Sequence, residues 1–243
     1  MVDILAHICG KITLIVKNSN KLIERYMEIT YLGHACFKLK NKKVTVIIDP
    51  YDKEVGLNLG KQVADIVVST HAHKDHSSVE RIEGVKLGEQ PMVIDKPGEY
   101  EAKGVSFFVI EAFHDDKKGE ERGKNLVVVI LMDGVSICHV GDLGSQLDEE
   151  QINRIGEIDI LMCPVGGHYT VDAKGAIGVM NSLEPKIFIP MHYRTDSHNQ
   201  EKFGQLAKLD NFNNEYGIAP TPVKKLEVGK DRLPAETEIV VFE

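Results

Sequence analysis

Short apolar runs alternate with polar turns along the chain from Met27 onward, and this pattern predicts a series of β-strands. Gly33 interrupts the first alternating stretch. Asp133-Gly134 separates two later apolar runs, which is a strong sequence signal for a two-residue hairpin. The predicted strands cover residues 29–31, 37–39, 44–48, 64–70, 92–94, 105–110, 126–132 and 135–140.

After about residue 147 the apolar spacing changes, and helical and strand patterns take turns. Asp148, followed three residues later by Gln151, is typical of a capped helix start. In the first half, residues 97–100 have the composition of a turn. Helices are predicted over residues 148–155, 173–183 and 200–209, and strands over 158–163, 186–190 and 238–242.

Residues 1–26 precede the regular pattern, and their apolar stretch is interrupted by His7 and Lys11. The stretch is too short for a membrane-spanning helix, and Asp3 makes it a poor signal peptide. We therefore predict an N-terminal extension over residues 1–26, one domain over residues 27–243 and no membrane span.

The composition is ordinary for a globular protein, with 243 residues, 42% hydrophobic residues and a formal net charge of -8. The negative charge argues against general nucleic-acid binding, because affinity for phosphate rests on clustered Lys and Arg. A local basic pocket remains compatible with it. We expect a reducing, cytoplasmic location, since no Cys-x-x-Cys pair occurs among the scattered Cys9, Cys36, Cys138 and Cys163.

One segment concentrates metal-binding side chains, because His71, His73, Asp75 and His76 lie within six residues directly after a predicted strand. Strand alternation would direct His71 and His73 to the same side, whereas Asp75 and His76 lie past the turn. The segment could therefore serve two metal centres. The alternative is a set of surface histidines on a polar loop.

Three further strand ends each deliver one candidate ligand: His114, Asp142 and His192 follow apolar strands. Taken singly, each could be an ordinary turn residue. Taken together, they supply the additional nitrogen and oxygen ligands that a two-metal site needs. Imidazole with carboxylate suits zinc, with manganese or iron as alternatives.

With these residues in order, the chain resembles the metallo-β-lactamase superfamily. Further phrases resemble its metal-dependent hydrolase branch, which includes the ascorbate-phosphate lactonase and the phospholipase D acting on N-acyl ethanolamine lipids. The resemblance covers residues 27–243. The phrases are Tyr31-Leu32-Gly33-His34-Ala35, Ile48-Asp49-Pro50, Gly166-Gly167-His168-Tyr169-Thr170 and Pro190-Met191-His192-Tyr193.

The resemblance implies an α/β fold of the four-layered αββα type, with two sheets face to face and the metals at one edge. In the family's pattern one metal is bound by His71, His73 and His114. The second is bound by Asp75, His76 and His192, with Asp142 bridging both. His34 and Asp49 match positions near the site, where they would orient ligand imidazoles. Their alternatives are a packed turn histidine and a strand-terminal cap.

This ligand set implies a dinuclear hydrolase in which a metal-bound hydroxide attacks a lactone, phosphoester or related ester or amide bond of a small, anionic substrate. Asp75 or Asp142 would accept a proton. The nearest donors by sequence to the developing charge are His168, Tyr169, Tyr193 and Arg194. We assign His168 to substrate, as a donor to the oxyanion or leaving group.

Other functions stay open at this point: a non-catalytic metal-binding regulator or scaffold on the same fold, or a nuclease or phosphodiesterase. Self-association into a homo-oligomer is also open. The polar residues 115–123 are either a solvated hairpin loop or a flap whose Arg122 or lysines meet an anionic substrate.

Overall fold

A computed structural model describes residues 26–243, whose strands and helices follow one another in short elements. The strands are β1 Met27–Gly33, β2 Cys36–Lys40, β3 Thr45–Ile48, β4 Gln62–Ala64, β5 Ile66–Val68, β6 Ile82–Gly84, β7 Met92–Ile94, β8 Gly98–Ala102, β9 Val105–Phe113, β10 Lys124–Met132, β11 Val135–His139, β12 Ile160–Pro164, β13 Ile187–Met191, β14 Leu226–Val228 and β15 Glu238–Ile239. The helices are α1 Glu149–Ile155, α2 Ala173–Leu183, α3 Gln200–Phe203 and α4 Leu209–Tyr216.

Two large sheets pack face to face. The first has the strand order β14-β1-β2-β3-β5-β7, and the second has the order β15-β13-β12-β11-β10-β9-β8. One apolar cluster joins their inner faces, with Phe37 and Val46 from the first sheet and Phe107 and Val128 from the second. The expected four-layered αββα sandwich is confirmed, because apolar clusters also cover both outer faces.

The two outer layers differ in thickness. Helices α1, α2 and α4 cover the second sheet and bury Ile155, Val179 and Phe212 against it. The first sheet is covered by loops, a short 3₁₀ turn containing Val55, and the single-turn helix α3 with Phe203.

Strand direction brings the candidate site together. Strands β3, β5 and β7 are parallel, as are β11, β12 and β13. Two successive antiparallel pairings make β1 parallel to β3 and β9 parallel to β11. The carboxyl ends of all these strands therefore lie at one edge of the sandwich, where functional residues of α/β folds collect.

Several predicted elements are confirmed. Helix α2 covers the predicted residues 173–183, and α1 begins after Asp148 with the expected capping box to Gln151. Asp133 and Gly134 both have positive φ, at 51° and 84°, as a tight hairpin between β10 and β11 requires.

Three predicted elements were wrong. Residues 200–209 do not form one helix, because α3 ends at Phe203 and α4 begins at Leu209. Between them, Ala207 donates its N–H to Gly166 O and accepts the N–H of Arg194. The run 64–70 is split at Asp65, whose backbone and carboxylate bind the Thr45 backbone between β4 and β5. Residues 98–102 form strand β8 rather than a turn.

The predicted extension lies almost entirely outside the described residues, so its boundary at residue 26 stays a prediction. Among the residues that the structure describes, no helix combines the length and apolar character needed to cross a bilayer.

Candidate metal centre

The histidine segment forms a tight turn rather than an extension of β5. His76 donates its backbone N–H to the carbonyl of His73 at 2.8 Å, which closes the turn. The side chains of His71 and His76 are almost fully buried, whereas His73 is exposed at the rim. The turn thus directs the imidazoles of His71 and His76 inward and leaves that of His73 at the rim.

Asp142 lies at the centre of the imidazoles. Its Oδ2 is 3.1 Å from His114 Nε2, 3.2 Å from His192 Nε2 and 3.9 Å from His71 Nε2. Its Oδ1 is 3.2 Å from His76 Nε2. One buried carboxylate therefore faces four histidines that three separate chain segments deliver.

Potential ligand atoms fall into overlapping groups, in each of which the atoms lie within 4.8 Å of one another. The first group combines His71, His73 and His114. A second combines His71, His76 and Asp142, and the third consists of His34, Asp75, His76 and His192. The seven residues predicted as ligands thus all lie at this edge of the sandwich.

Several of these atoms have no hydrogen-bond partner within residues 26–243, although they are buried: His71 Nε2, His76 Nε2, His192 Nε2 and Asp142 Oδ1. Buried polar atoms are normally paired, so a group of unpaired nitrogens around a carboxylate oxygen needs an explanation. Divalent cations fit this donor set, since imidazole nitrogen and carboxylate oxygen are the ligands of zinc and related metals.

The electrostatics of the cluster are those of a carboxylate held among imidazoles. Burial by itself would raise the pKa of Asp142, but His192 and His76 outweigh burial and hold that pKa well below its usual range. Burial would likewise lower the pKa of His76, yet Asp142 and Asp75 raise it well above the ordinary value. Burial and the nearby charge of His76 lower the pKa of His71 to about 3.

Asp49 holds His76 from behind. Its Oδ2 lies 2.8 Å from His76 Nδ1, and both of its oxygens accept hydrogen bonds from Thr70. His76 therefore donates from Nδ1 to Asp49, and this contact directs its Nε2 toward Asp142. This contact supports the orienting role predicted for Asp49, which also joins the ends of β3 and β5 as a strand cap would.

We predict that Asp49→Asn weakens metal binding by about 10- to 100-fold, the usual effect of losing a carboxylate behind a ligand histidine. The measurement is metal affinity by competition with a chelator. The matched control is Asp65→Asn, because Asp65 caps the opposite end of β3 through the Thr45 N–H. Equal losses of affinity in both variants would show that Asp49 only stabilises the strands.

His34 and His198 form an oriented chain toward Asp75. Thr195 donates its backbone N–H to His198 Nδ1 at 3.0 Å, so the His198 proton is on Nε2, which lies 3.4 Å from His34 Nδ1. His34 then donates from Nε2 to Asp75 Oδ2 at 3.2 Å. Burial and nearby His192 lower the pKa of His34 to about 3 and that of His198 to about 4. Both rings are therefore neutral, as this series of hydrogen bonds requires.

Sequence reasoning missed His198 and Asn125. Asn125 is fully buried, accepts the Asp142 N–H at 3.0 Å and donates to Val140 O at 2.8 Å, which fixes the loop that carries Asp142. The available signal was an amide directly before the apolar run of β10, because a buried polar group needs partners. His198 follows a polar turn and carries no comparable signal.

The four predicted substrate contacts lie in different places. Tyr169 lines a cavity together with His73, Asp75, His114 and Asp142. His168 is exposed, and its ring packs edge-on against the Tyr169 ring at 4.1 Å. Tyr193 lines a different cavity, together with His34. Arg194 donates to Gln200 Oε1 at 3.1 Å. The structure thus brings Tyr169 alone of these four residues to the cavity beside the candidate ligands.

Known proteins resemble this chain in sequence and in fold. A β-lactamase superfamily domain family matches residues 28–192. A UPF0173 metal-dependent hydrolase of Thermoplasma acidophilum is 32% identical over 226 residues, which cover 83% of this chain and 99% of the relative.

Solved structures agree with these matches. A Thermotoga maritima protein assigned to the zinc-dependent hydrolases of the metallo-β-lactamase superfamily has a TM-score of 0.70 at 33% identity, covering 89% of this chain and 99% of its own. An isothiocyanate hydrolase from Delia radicum gut bacteria shares the fold, with a TM-score of 0.59 at 14% identity over 84% of this chain and 98% of its own.

Proposed function

We propose that this chain, which belongs to the metallo-β-lactamase superfamily and to its UPF0173 metal-dependent hydrolase family, cleaves a small substrate at a dinuclear metal centre. The observation that carries the proposal is the position of Asp142. Its two oxygens face imidazoles from both groups of candidate ligands, as a carboxylate shared by two ions would.

In this proposal one ion is held by His71, His73 and His114. The other is held by Asp75, His76 and His192, and Asp142 contacts both. Two such ions, when bound, would supply a water of lowered pKa as the nucleophile and would polarise the bond under attack. Zinc suits the donor set best, with manganese or iron as alternatives.

The protein's own residues would set the geometry and move the proton. Asp49 orients His76, and His34 holds one oxygen of Asp75, so both ligands are fixed before substrate binds. Both Asp75 and Asp142 line the cavity, but Asp75 is partly exposed whereas Asp142 is almost fully buried, so Asp75 is the better-placed proton acceptor. The His34 N–H supports Asp75 from the opposite side.

The substrate class rests on chemistry and on resemblance. A lactone, phosphoester or related ester or amide suits a metal-activated water, and the resemblance to the ascorbate-phosphate lactonase branch favours a lactone or phosphoester. A cavity of about 410 Å³ suits a small molecule. A cytoplasmic location and a homo-oligomer remain predictions.

The test combines metal analysis with a substrate panel. Protein reconstituted with zinc, manganese or iron should bind close to two ions per chain and hydrolyse a member of a panel of lactones, phosphodiesters, phosphomonoesters and β-lactams. Binding of two ions with no hydrolysis across the panel would favour the non-catalytic scaffold. Binding of a single ion would overturn the dinuclear centre.

The donor role of His168 stays a prediction. If His168 donates to a developing oxyanion, His168→Ala lowers kcat by about 10²–10³, the usual effect of losing one such donor, and leaves metal content unchanged. The check is kcat together with metal analysis. An unchanged kcat in His168→Ala would show that His168 only packs on Tyr169.

A further inference from the structure

The cavity over the candidate metal centre also contains a basic side chain for which the proposed hydrolysis has no role. His73, Asp75 and Asp142 line this space together with Arg122 and Tyr169. A ligand that reaches the metal centre would therefore also reach Arg122. The cavity volume of about 410 Å³ leaves room for one small molecule beside both groups.

Arg122 is held in place by the loop that follows His114. Asp115 is almost fully buried, and its two oxygens accept backbone N–H groups from Lys117, Gly119, Glu121 and Arg122 at 2.8–3.1 Å. Four hydrogen bonds to one carboxylate close residues 115–122 into a compact loop. Both predicted interpretations of this segment, a solvated hairpin loop or a flap whose Arg122 or lysines meet an anionic substrate, stay predictions.

The guanidinium of Arg122 is available to a ligand. Its central carbon lies 4.6 Å from the centre of the Tyr169 ring, and Tyr169 is fixed in turn by donating to Lys202 O at 3.2 Å. Stacking covers one face of the guanidinium and leaves its N–H edge uncommitted. Within the described part of the chain, Arg122 forms no side-chain hydrogen bond and no ion pair, whereas the neighbouring cation Lys202 is paired with Glu54.

We propose that Arg122 binds an oxyanion, a carboxylate or phosphate group that the substrate carries beside its scissile bond. This inference rests on the proposed hydrolase function and deepens it by naming the substrate class. The planar guanidinium matches both anions through paired N–H bonds, and a partly buried charge is screened less than an exposed one. Glu201 also lines the cavity, but it is exposed, so water screens its repulsion of an anion.

The test uses three esters that share an acyl chain and a leaving group: 4-nitrophenyl butyrate, mono-4-nitrophenyl succinate and 4-nitrophenyl 3-phosphonopropanoate. They differ only in a terminal methyl, carboxylate or phosphonate. Arg122→Ala should lower kcat/KM for one or both anionic esters by about 10- to 100-fold, the range for a charge-assisted hydrogen bond. The butyrate ester should change by less than about threefold, and metal content should not change. The ester with the larger loss identifies the anion.

Lys118→Ala is the matched control, because it removes one positive charge from the same loop at an exposed residue that does not line the cavity. It should leave all three esters unaffected. Arg122→Lys, which keeps the charge but loses the paired donors, should fall between the wild type and Arg122→Ala. Equal losses for neutral and anionic esters, or equal effects of Lys118→Ala, would overturn the proposal.

A binding measurement separates this inference from the hydrolase function. Calorimetric titration of the metal-loaded protein with succinate and with inorganic phosphate needs no turnover. Arg122→Ala should weaken the binding of one of these anions by about 10- to 100-fold even if no ester is hydrolysed. If the wild type hydrolyses none of the esters, the ester form of the proposed function fails, and the titration still decides the role of Arg122. If the dissociation constants of both anions differ by less than about threefold between the wild type and Arg122→Ala, Arg122 does not bind the anion and the inference is rejected.

Discussion

Asp142→Ala should lower hydrolysis by at least about 10⁴-fold and reduce the metal content of the reconstituted protein to one ion per chain or fewer. The reason is that Asp142 faces both groups of candidate ligands, with His76 on Oδ1 and His114 and His192 on Oδ2. Losing an ion that lowers the pKa of water by several units removes most of the nucleophile at neutral pH. Elemental analysis and single-turnover rates measure the two effects.

A control must separate loss of the centre from loss of a buried carboxylate. Asp159 is 7% exposed, accepts the Ser136 N–H at 2.9 Å and binds Lys230 Nζ at 2.8 Å, far from the candidate ligands in the sheet. Asp159→Asn should lower stability while leaving metal content and rate unchanged. If Asp142→Ala retains two ions, Asp142 is not a ligand that both ions need. If it hydrolyses substrate at the wild-type rate, Asp142 is not required for hydrolysis.

The candidate ligands could be predicted because their signals are local. Each follows an apolar run, and strands that run in the same direction bring their carboxyl ends to one edge whatever their order in the sheet. His114, Asp142 and His192 therefore converge although 78 residues separate the first from the last in the sequence. The family resemblance added the division into two groups, which the distances within each group support.

The supports of the centre were harder to predict, because they join residues far apart in sequence. His34 meets Asp75 across 41 residues and His198 across 164 residues, and no local pattern encodes either contact. The backbone conformation at these strand ends was equally hard to predict. His34, Asp49 and His192 have left-handed φ values of 58°, 48° and 51°, which side chains other than glycine seldom adopt. Only the packed sandwich determines which strand ends turn in this way.

Element boundaries failed where a polar contact outweighs local propensity. Asp65 interrupts an otherwise apolar run because it binds the Thr45 backbone, and Ala207 lies between two helices with its N–H bonded to Gly166 O. The helix over residues 173–183 and the hairpin at Asp133-Gly134 were predictable, since capping and turn chemistry agree there with the apolar spacing.

Gly141 directly precedes Asp142, and the loop that carries Asp142 has no room for a side chain at this position. Its φ is +56°, and a Cβ would lie 2.2 Å from Asn125 Oδ1 and 2.8 Å from Thr70 Cβ. Both neighbours support the site, since Asn125 accepts the Asp142 N–H and Thr70 donates to Asp49. A methyl group here would displace contacts to both Asp142 and Asp49.

We therefore expect Gly141→Ala to lower the free energy of unfolding by about 2–5 kcal/mol, combining overpacking of about 1–3 kcal/mol with a left-handed backbone strain of about 1–2 kcal/mol. Metal affinity should fall as well, because the Asn125 support of Asp142 is lost. Gly134→Ala is the matched control: its φ is +84°, and a Cβ there would meet nothing within 4 Å, so it carries the strain alone. Denaturant titration and chelator competition on both variants measure the difference. Equal destabilisation with equal metal affinity would show that the close approach at Gly141 relaxes without disturbing Asp142.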